Sequence, residues 1–361
     1  TAEDLTSAVR AWTIGRKRSL EHNGARVSMM ADSFLHGEEW AYSAGWLERY
    51  SKMPREDVMG AARRYLGNNR VVAYRRKGKP VLPTITKPGF STVNIDPKRR
   101  SAFGKKLESL PVKPGEPRGR VAGRDYDVTD RPFGRLWTAK NPMNDVFTVS
   151  IGCVSTGTGT DRELGAAFDL LGLCGAGDLD ATAFKRKLYA LGTDISFSAD
   201  ERWIWIGLSG LEENLPESLR LMMRQFTSPV VPAGALAKYK ERILGAHQDN
   251  KKDQGYVFWA LNAYAQRGLD SPALRELKDA EIKGLEEQRL LDKARGAWDF
   301  PSDVRYVGTR SADEFAKLYA AAIPAPTRPR ARNRSVGVIH PAASRVLFTH
   351  RDMVQSQVHV Y

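Results

Sequence analysis

The stretch NPMNDVFTVSIGCVSTGTGTDRELGAAFDLLG, residues 141–172, contains the two patterns that decide the fold. In residues 145–154, Phe147, Val149 and Ile151 alternate with more polar side chains, which predicts a β-strand because successive strand residues point to opposite faces. A glycine-rich turn follows. Asp161 can then cap a helix that runs to about Gly172. The stretch therefore predicts a strand, a turn and a helix in that order.

A second strand is predicted in RWIWIGLSG, residues 202–210. Every second residue from 204 to 208 is aliphatic, whereas Trp203 and Trp205 lie on the opposite face. A strand that is apolar on both faces is typical of one covered on both sides. We therefore expect the two tryptophans to pack in the core rather than to stack on a ligand.

Helix signals fill the rest of the block between residues 145 and 325. Asp180 is placed to cap a helix that stops at Gly192. Ser311 and Glu314 have the spacing of a capping box, directly after a strand-like segment at 303–308. Strands followed by groups of helices indicate an α+β domain.

The flanking segments differ from this block. Residues 1–66 read as helical, and within MPREDVMGAARRYLG (53–67) a proline opens a helix that a glycine closes. Residues 68–74 and 345–361 are strand-like in composition. Residues 80–142 contain nine of the 19 prolines. Because proline disrupts helix interiors and strand ladders, this segment predicts a connector with little regular structure.

The formal net charge is +14, which raises the question of nucleic-acid binding. However, residues 75–140 hold a surplus of 11 basic over acidic residues, and TRPRARNR (327–334) adds four arginines and no acid. The remaining chain is close to neutral. No aromatic platform or known nucleic-acid module accompanies the basic segments, so we expect solvated linkers and no nucleic-acid partner.

Two further classes are disfavoured by simple counts. No stretch approaches the roughly 18 apolar residues that a membrane-spanning helix needs. The two cysteines, Cys153 and Cys174, form no CxxC pair, which argues against a zinc ribbon or a thioredoxin-like centre. They could form one disulfide or remain two buried free thiols.

Searches for catalytic motifs find none. The glycine-rich pieces 157–161 and 172–178 match neither phosphate-binding pattern, and Ser209 lacks the spacing of a hydrolase elbow. A zinc helix needs two histidines four residues apart on one face. No such pair occurs among the six histidines, which are His22, His36, His247, His340, His350 and His359.

Three pieces of the chain together resemble the inverzincin (M16, pitrilysin-like) zinc metallopeptidase family. They are 141–172, FKRKLYALGTDISFSADERWIWIGLSGLEENLPESLRLM (184–222) and DVRYVGTRSADEF (303–315). The resemblance implies α+β domains of the M16/LuxS-MPP-like metallohydrolase type, with a mostly antiparallel sheet packed by helices. The resemblance further implies a parent protein of two halves joined by a linker, in which each half consists of two similar domains.

The resemblance implies four regions. Residues 1–79 correspond to the end of a preceding M16-like domain, and 80–142 to a basic, proline-rich linker between halves. Residues 143–325 correspond to a complete M16-like domain, and 326–361 to a connector and the first strand of a further one. Both ends of the chain would then lie within a longer parent protein.

The family's zinc motif can be compared position by position. Family helices read G-x-x-H-x-x-E-H. In GAAFDLLG (165–172), Phe168 and Gly172 stand at the two histidine positions and Leu171 at the glutamate position. The third ligand would fall in 240–249, where Ala246 or His247 stands instead of glutamate. The resemblance therefore implies a degenerate zinc motif, with neither metal ligands nor catalytic residues in this segment.

On this resemblance we expect a non-catalytic region of a zinc metalloendopeptidase. It would supply chamber wall and substrate contacts for a peptide or unfolded polypeptide, would be inactive alone, and would work with a zinc-bearing catalytic half on the same chain or a partner subunit. The alternative is an M16-like pseudopeptidase that acts as a binding or scaffold protein. The resemblance favours the bacterial periplasm over the cytoplasm.

Overall fold

A computed structural model of the chain describes residues 1–75, 78, 86, 89, 96–111, 115, 118–153, 157–330, 337–339, 343–350 and 358. The chain divides into two units, Thr1–Arg55 with Val121–Tyr361, and Glu56–Arg120. The smaller unit contains two of the helices given below, α5 and α6. Among the described residues, the strands lie in the larger unit.

Among the described residues the helices are α1 (Ala2–Leu20), α2 (Asn23–Leu35), α3 (Trp40–Ala44), α4 (Trp46–Ser51), α5 (Arg55–Tyr65), α6 (Ala102–Glu108), α7 (Leu164–Leu171), α8 (Ala181–Leu191), α9 (Leu215–Thr227), α10 (Ala235–Asn250), α11 (Gln254–Arg267), α12 (Pro272–Arg275), α13 (Asp279–Lys283), α14 (Glu287–Arg295) and α15 (Ala312–Ala322). Short 3₁₀ turns occur at Glu212–Asn214, Gly268–Asp270 and Gly296–Asp299.

The strands are β1 (Asp127–Arg131), β2 (Gly134–Lys140), β3 (Val146–Cys153), β4 (Gly175–Ala176), β5 (Asp194–Ala199), β6 (Ile204–Leu211), β7 (Pro229–Val230) and β8 (Ser302–Gly308). Six of them form one sheet in the order β1-β2-β8-β3-β6-β5, and β4 pairs with β7. Among the described strand pairs of the large sheet, β2–β8 is parallel and the others are antiparallel. The predicted α+β class with a mostly antiparallel sheet is confirmed.

The two faces of the large sheet differ in covering. One face, here called the covered face, carries fully buried aliphatic side chains such as Val149, Ile206 and Val304. These belong to a single hydrophobic cluster with residues from α7, α9, α14 and α15, so helices pack over this face. The opposite face, here called the open face, carries exposed Thr148 and Arg305. The period-two pattern of the sequence therefore marks the covered face correctly.

Helix ends follow the predicted capping residues. The Asp180 carboxylate accepts a hydrogen bond from the Ala183 backbone N–H at 2.8 Å, and Gly192 ends α8 in the left-handed region with φ of 64°. Ser311 and Glu314 form the predicted capping box at the start of α15. These local bonds satisfy backbone groups that would otherwise be unpaired at helix ends.

The prediction that residues 80–142 have little regular structure is wrong for residues 127–140. They form the β1–β2 hairpin, and β2 pairs with β8 along its full length. Pro132 lies in the two-residue turn between the strands, where its fixed φ is favourable and its missing N–H has no cost. Within residues 127–140, most of the charged side chains belong to β1, an edge strand of the sheet. Charge at an edge strand hinders unwanted pairing with other strands. The proline and the charged residues therefore made the sequence of this hairpin look like that of a linker.

Two other strand predictions also differ from the structure. Residues 68–74 form no strand, and Val71 is 99% exposed. Within 345–361, residues 345–350 form no strand, whereas 351–357 and 359–361 lie outside the described residues. The helical prediction for residues 1–66 is confirmed by α1 to α5. The division into four M16-like regions stays a prediction.

Candidate functional site

An open groove of about 1100 Å³ lies beside β5 in the larger unit. We call it the β5 groove. Its walls come from α1, α7, α8, α10 and the start of β5, which brings together residues far apart in sequence. Its lining includes Ile14, Arg18, Phe168, Gly172, Phe184, Lys185, Ile195, Phe197, Gln225, Lys238, Tyr239 and Arg242.

Two of the three predicted zinc-motif positions line this groove. Phe168 is 2% exposed, and its ring lies 5.8 Å from that of Phe197 and 6.0 Å from that of Phe226. Gly172 ends α7 in ordinary helical geometry. Leu171 is 1% exposed and belongs to the hydrophobic core cluster. At the two positions that line the groove, the side chains are therefore an apolar ring and a hydrogen atom, and neither can bind a metal ion.

The polar groups closest to these positions are unsuited to zinc. Asp169 forms an ion pair with Arg242 of α10 at 3.6 Å. Tyr239 of the same helix is buried, which together with Asp169 raises its phenol pKa to about 12. Zinc prefers thiolate, neutral imidazole or carboxylate ligands, and a neighbouring guanidinium opposes a second cation. The residues present at these positions do not fit a metal site.

His247, which the alignment placed near the third ligand, does not line the β5 groove. Its Nδ1 lies 2.8 Å from an Asp279 carboxylate oxygen, and it borders a separate cavity that also contains Trp259. Hydrogen bonding to the imidazole lowers the pKa of the Asp279 carboxyl. In the described part of the chain, no three His, Cys, Asp or Glu side chains cluster as metal ligands.

One edge of the large sheet is available at the groove. The Asp200 N–H donates to the Trp203 carbonyl oxygen at 2.9 Å, which closes the β5–β6 hairpin. Hydrogen-bonded and non-bonded pairs alternate along an antiparallel ladder. Counting back from Asp200, the backbone groups of Ile195, Phe197 and Ala199 therefore point away from β6. Among the described strands, none pairs with this side of β5.

Helix α1 is held firmly at one end of the groove. Arg18 donates to the Ser209 hydroxyl at 2.7 Å and pairs with Asp194 at 3.3 Å. Ile14 packs in a buried cluster with Val146 and Leu211. Sequence reasoning assigned residues 1–79 to a preceding domain and gave no sign of these contacts. The groove is therefore completed by a helix from outside the 143–325 block.

Gln225 of α9 supplies a buried polar group at the groove. Its Nε2 donates to the carbonyl oxygens of Leu171 at 3.0 Å and Cys174 at 2.9 Å. Both amide protons are thereby used, which fixes the identity of the remaining Oε1. Among the described residues that oxygen has no hydrogen-bond donor, although the side chain is 97% buried. Sequence reasoning missed Gln225 because no motif contains it.

The open face carries a different cluster, here called the Trp–Arg row. The rings of Trp203 and Trp205 stack with centroids 5.2 Å apart. The Arg305 guanidinium lies 4.9 Å from the Trp205 ring and 6.0 Å from the Trp137 ring. Both Trp203 and Trp205 are only half-buried, so the predicted core packing of this pair is wrong. Arginine, rather than a helix, is the neighbour that shields Trp205.

The cysteines are both free and buried. Burial raises the pKa of the Cys153 thiol to about 12 and that of Cys174 to about 11. Since the thiolate is the reactive form, neither group is suited to nucleophilic chemistry near neutral pH. Of the two alternatives that the sequence left open, the structure therefore supports free thiols.

Comparison with known proteins shows similarity at the level of fold. No protein-family model matches the chain, and no curated protein sequence matches it. Among solved structures, the chain is similar to the periplasmic protease PqqL from Escherichia coli, with 14% identity, 94% of this chain and 41% of that chain covered, and a TM-score of 0.50. It is also similar to a variant of the ferredoxin protease FusC in complex with Arabidopsis ferredoxin, with 12% identity, 93% and 40% covered, and a TM-score of 0.52.

These similarities confirm the predicted M16-like fold. The chain spans about 40% of the length of these two proteases. In the described part of the chain, no helix is both long and apolar enough to cross a lipid bilayer.

Proposed function

We propose that this chain is a non-catalytic region of an M16-type zinc metalloendopeptidase. It forms part of a chamber wall and holds an extended peptide or unfolded polypeptide in the β5 groove. A catalytic half, on the same chain or on a partner subunit, holds the zinc and cleaves the bound polypeptide. The observation that carries this proposal is a free sheet edge beside a groove whose zinc-motif positions hold Phe168 and Gly172.

The free edge explains how a polypeptide would bind through its main chain, with its register set by side-chain contacts. An extended peptide can add to an exposed sheet edge through main-chain hydrogen bonds, and side-chain pockets then give selectivity. Here Ile195 and Phe197 offer outward backbone groups within the groove. The adjoining walls of α7, α8 and α10 would contact the side chains of the added strand.

The proposal has a direct binding test. Two fluorescent peptides of one sequence are N-methylated at alternate positions, one at the odd and the other at the even residues. Strand addition uses the N–H groups of alternate residues only, so one methylated set should abolish binding and the other should not. Fluorescence anisotropy with the 361-residue chain measures both. Equal affinity of the two methylated peptides would contradict strand addition at β5.

A second measurement separates the peptidase region from the scaffold alternative. The catalytic half is assayed with a quenched fluorescent peptide, with and without this chain. The chain alone should leave the peptide intact, and its addition should raise the cleavage rate of the catalytic half. Binding without any effect on cleavage would favour the scaffold alternative. Chelator-sensitive cleavage by the isolated chain would overturn the non-catalytic assignment.

We place the parent protein in the bacterial periplasm. The support is the fold shared with a protease described as periplasmic. The part of the basic segment 80–142 that precedes β1 acts in this proposal as a linker between halves and not as a nucleic-acid site. Fractionation of cells that express the full parent chain tests the compartment, and recovery in the cytoplasmic fraction would contradict it.

A further inference from the structure

The Trp–Arg row on the open face contains a cation without an acidic partner. Arg305 is exposed, and among the described residues it has no ion-pair or hydrogen-bond partner. Its neighbours are instead the indole rings of Trp205 and Trp137, at 4.9 Å and 6.0 Å from the guanidinium. The N–H donors of this guanidinium are therefore accessible to a ligand that approaches from solvent.

Two acidic residues on the same face already have other partners. Asp303 lies two residues before Arg305 on β8 and pairs with Arg330. Asp130 of β1 pairs with Arg135 of β2 at 3.3 Å. The positive charge of Arg305 is therefore not offset by either carboxylate. A carboxylate supplied by a ligand would form a charge-assisted hydrogen bond, and the planar guanidinium can hold both of its oxygens.

The side chains next to Arg305 on β3 and β6 are small. Ser150 of β3 is directly opposite Arg305 in the β3–β8 register, and Gly207 of β6 is directly opposite Ser150. Neither side chain is large enough to cover the guanidinium from this side. The Ser150 hydroxyl has no hydrogen-bond partner among the described residues. Directly opposite residues have Cβ atoms about 4.5–5.5 Å apart, so this hydroxyl is a second donor for a carboxylate bound at Arg305.

The arrangement of the rings favours a polypeptide over a nucleobase. Trp203 and Trp205 stack with 18° between their planes, so each ring uses one face on the other. Arg305 lies against Trp205 as well. Proteins that bind single-stranded nucleic acid stack the bases on free aromatic faces. An aliphatic side chain, by contrast, needs only apolar contact with a half-buried indole.

The spacing of the row matches that of an extended chain. Trp137 on β2 and Trp205 on β6 lie on opposite sides of β8, and therefore of Arg305. Residues two apart in a strand share a face and are about 6–7 Å from each other, which is close to the two distances between the guanidinium and the rings. We propose that the Trp–Arg row binds an extended acidic polypeptide segment. A glutamate of this segment pairs with Arg305, and apolar side chains two residues to either side pack on Trp137 and Trp205. None of these three residues lines the β5 groove, so this site is additional to the proposed function.

A set of amidated peptides with an uncharged fluorophore tests the ligand chemistry. Leu-Ser-Glu-Ser-Leu has the expected pattern, Leu-Ser-Gln-Ser-Leu lacks only the carboxylate, and Ser-Leu-Glu-Leu-Ser moves the leucines to the opposite face. Fluorescence anisotropy should show the first peptide binding about fivefold more tightly than either of the others. Equal affinities of the Glu and Gln peptides would overturn the role of the carboxylate. Equal affinity of the reordered peptide would overturn the contacts with the two rings.

A matched pair of variants tests the location of the site. Arg305→Gln and Arg135→Gln each remove one guanidinium from the open face, but Arg135 is already paired with Asp130. Arg305→Gln should weaken Leu-Ser-Glu-Ser-Leu about fivefold and leave the Gln peptide unchanged, whereas Arg135→Gln should affect neither. Unchanged binding of the Glu peptide by a folded Arg305→Gln chain would overturn the inference and leave the proposed β5 groove site intact. If Arg305→Gln does not fold, the peptide series with the unaltered chain decides.

A nucleic-acid ligand is the other outcome that this experiment separates. Single-stranded oligothymidylate is titrated against the unaltered chain and against Arg305→Gln under the same salt conditions. We expect it to bind more weakly than Leu-Ser-Glu-Ser-Leu and to show no specific dependence on Arg305. Tighter binding than the peptide, lost in Arg305→Gln but retained in Arg135→Gln, would overturn the assignment of a polypeptide ligand.

Discussion

The two faces of the large sheet bury their side chains by different means. On the covered face, Val304 and Ile206 are fully buried beneath helices. On the open face, the indole rings of the Trp–Arg row lie against one another and against Arg305. Helix cover removes apolar area from water, at roughly 25 cal/mol per Å². A stacked cation contributes much less, about 0.5–1 kcal/mol at exposed sites. Stability should therefore reside mainly on the covered face.

The largest expected effect comes from one change made on both faces of the same strand. Val304→Ala leaves a cavity in the covered face, whereas Val307 is 39% exposed on the open face. We expect Val304→Ala to lower the free energy of unfolding by about 2–3 kcal/mol and Val307→Ala by under about 1 kcal/mol. Urea denaturation followed by circular dichroism measures both. Equal losses would refute the difference between the faces.

A smaller effect is expected where the tryptophans cross β3. A Cβ added at Gly152 would lie 2.8 Å from the Trp205 ring and 3.3 Å from the Trp203 ring. Gly152→Ala should displace both half-exposed rings and lower the free energy of unfolding by about 1–2 kcal/mol. Near-ultraviolet circular dichroism should report loss of the stacked pair. Gly245→Ala is the control, and an unaltered tryptophan signal in Gly152→Ala would contradict the described packing.

The smallest effect concerns Arg305 itself. Arg305→Lys keeps the charge but removes the planar guanidinium that stacks on Trp205. We expect a loss of about 0.5–1 kcal/mol in unfolding free energy, together with a shift in tryptophan emission because the ring becomes more exposed. Arg305→Leu serves as the comparison, since it keeps apolar contact without charge. If the Arg305→Lys variant and the unaltered chain have the same unfolding free energy and the same tryptophan emission, stacking of Arg305 contributes nothing to stability.

The comparison also shows what the sequence could predict. Period-two aliphatic residues identified β3 and β6, and local capping residues such as Asp180 and Ser311 located helix ends, because both signals depend on near neighbours in the chain. Trp203 and Trp205 were wrongly assigned to the core. Their actual neighbour, Arg305, lies about a hundred residues later in the chain, so no local pattern could reveal it. A sequence pattern gives the face of a strand but not what lies against it.

The candidate site shows the same division. The resemblance located Phe168 and Gly172, and the structure places both in the β5 groove. The resemblance did not find Gln225. The role of this side chain depends on hydrogen bonds from its Nε2 to carbonyl oxygens about fifty residues upstream. The β1–β2 hairpin was missed because Pro132 and its charged neighbours are typical of linkers. Their role as turn and edge depends on pairing with β8.

That pairing also sets an order of events during synthesis. Strand β8 lies between β2 and β3 in the sheet, yet residues 302–308 leave the ribosome only after α7 to α14 have emerged. Until then β2 and β3 have no shared neighbour, and Leu136, fully buried in the finished domain, has no complete core to enter. Unpaired edges and exposed apolar side chains are the features that promote misassembly in nascent chains. Among the described strands, the last to be synthesised is therefore the one that joins β2 to β3.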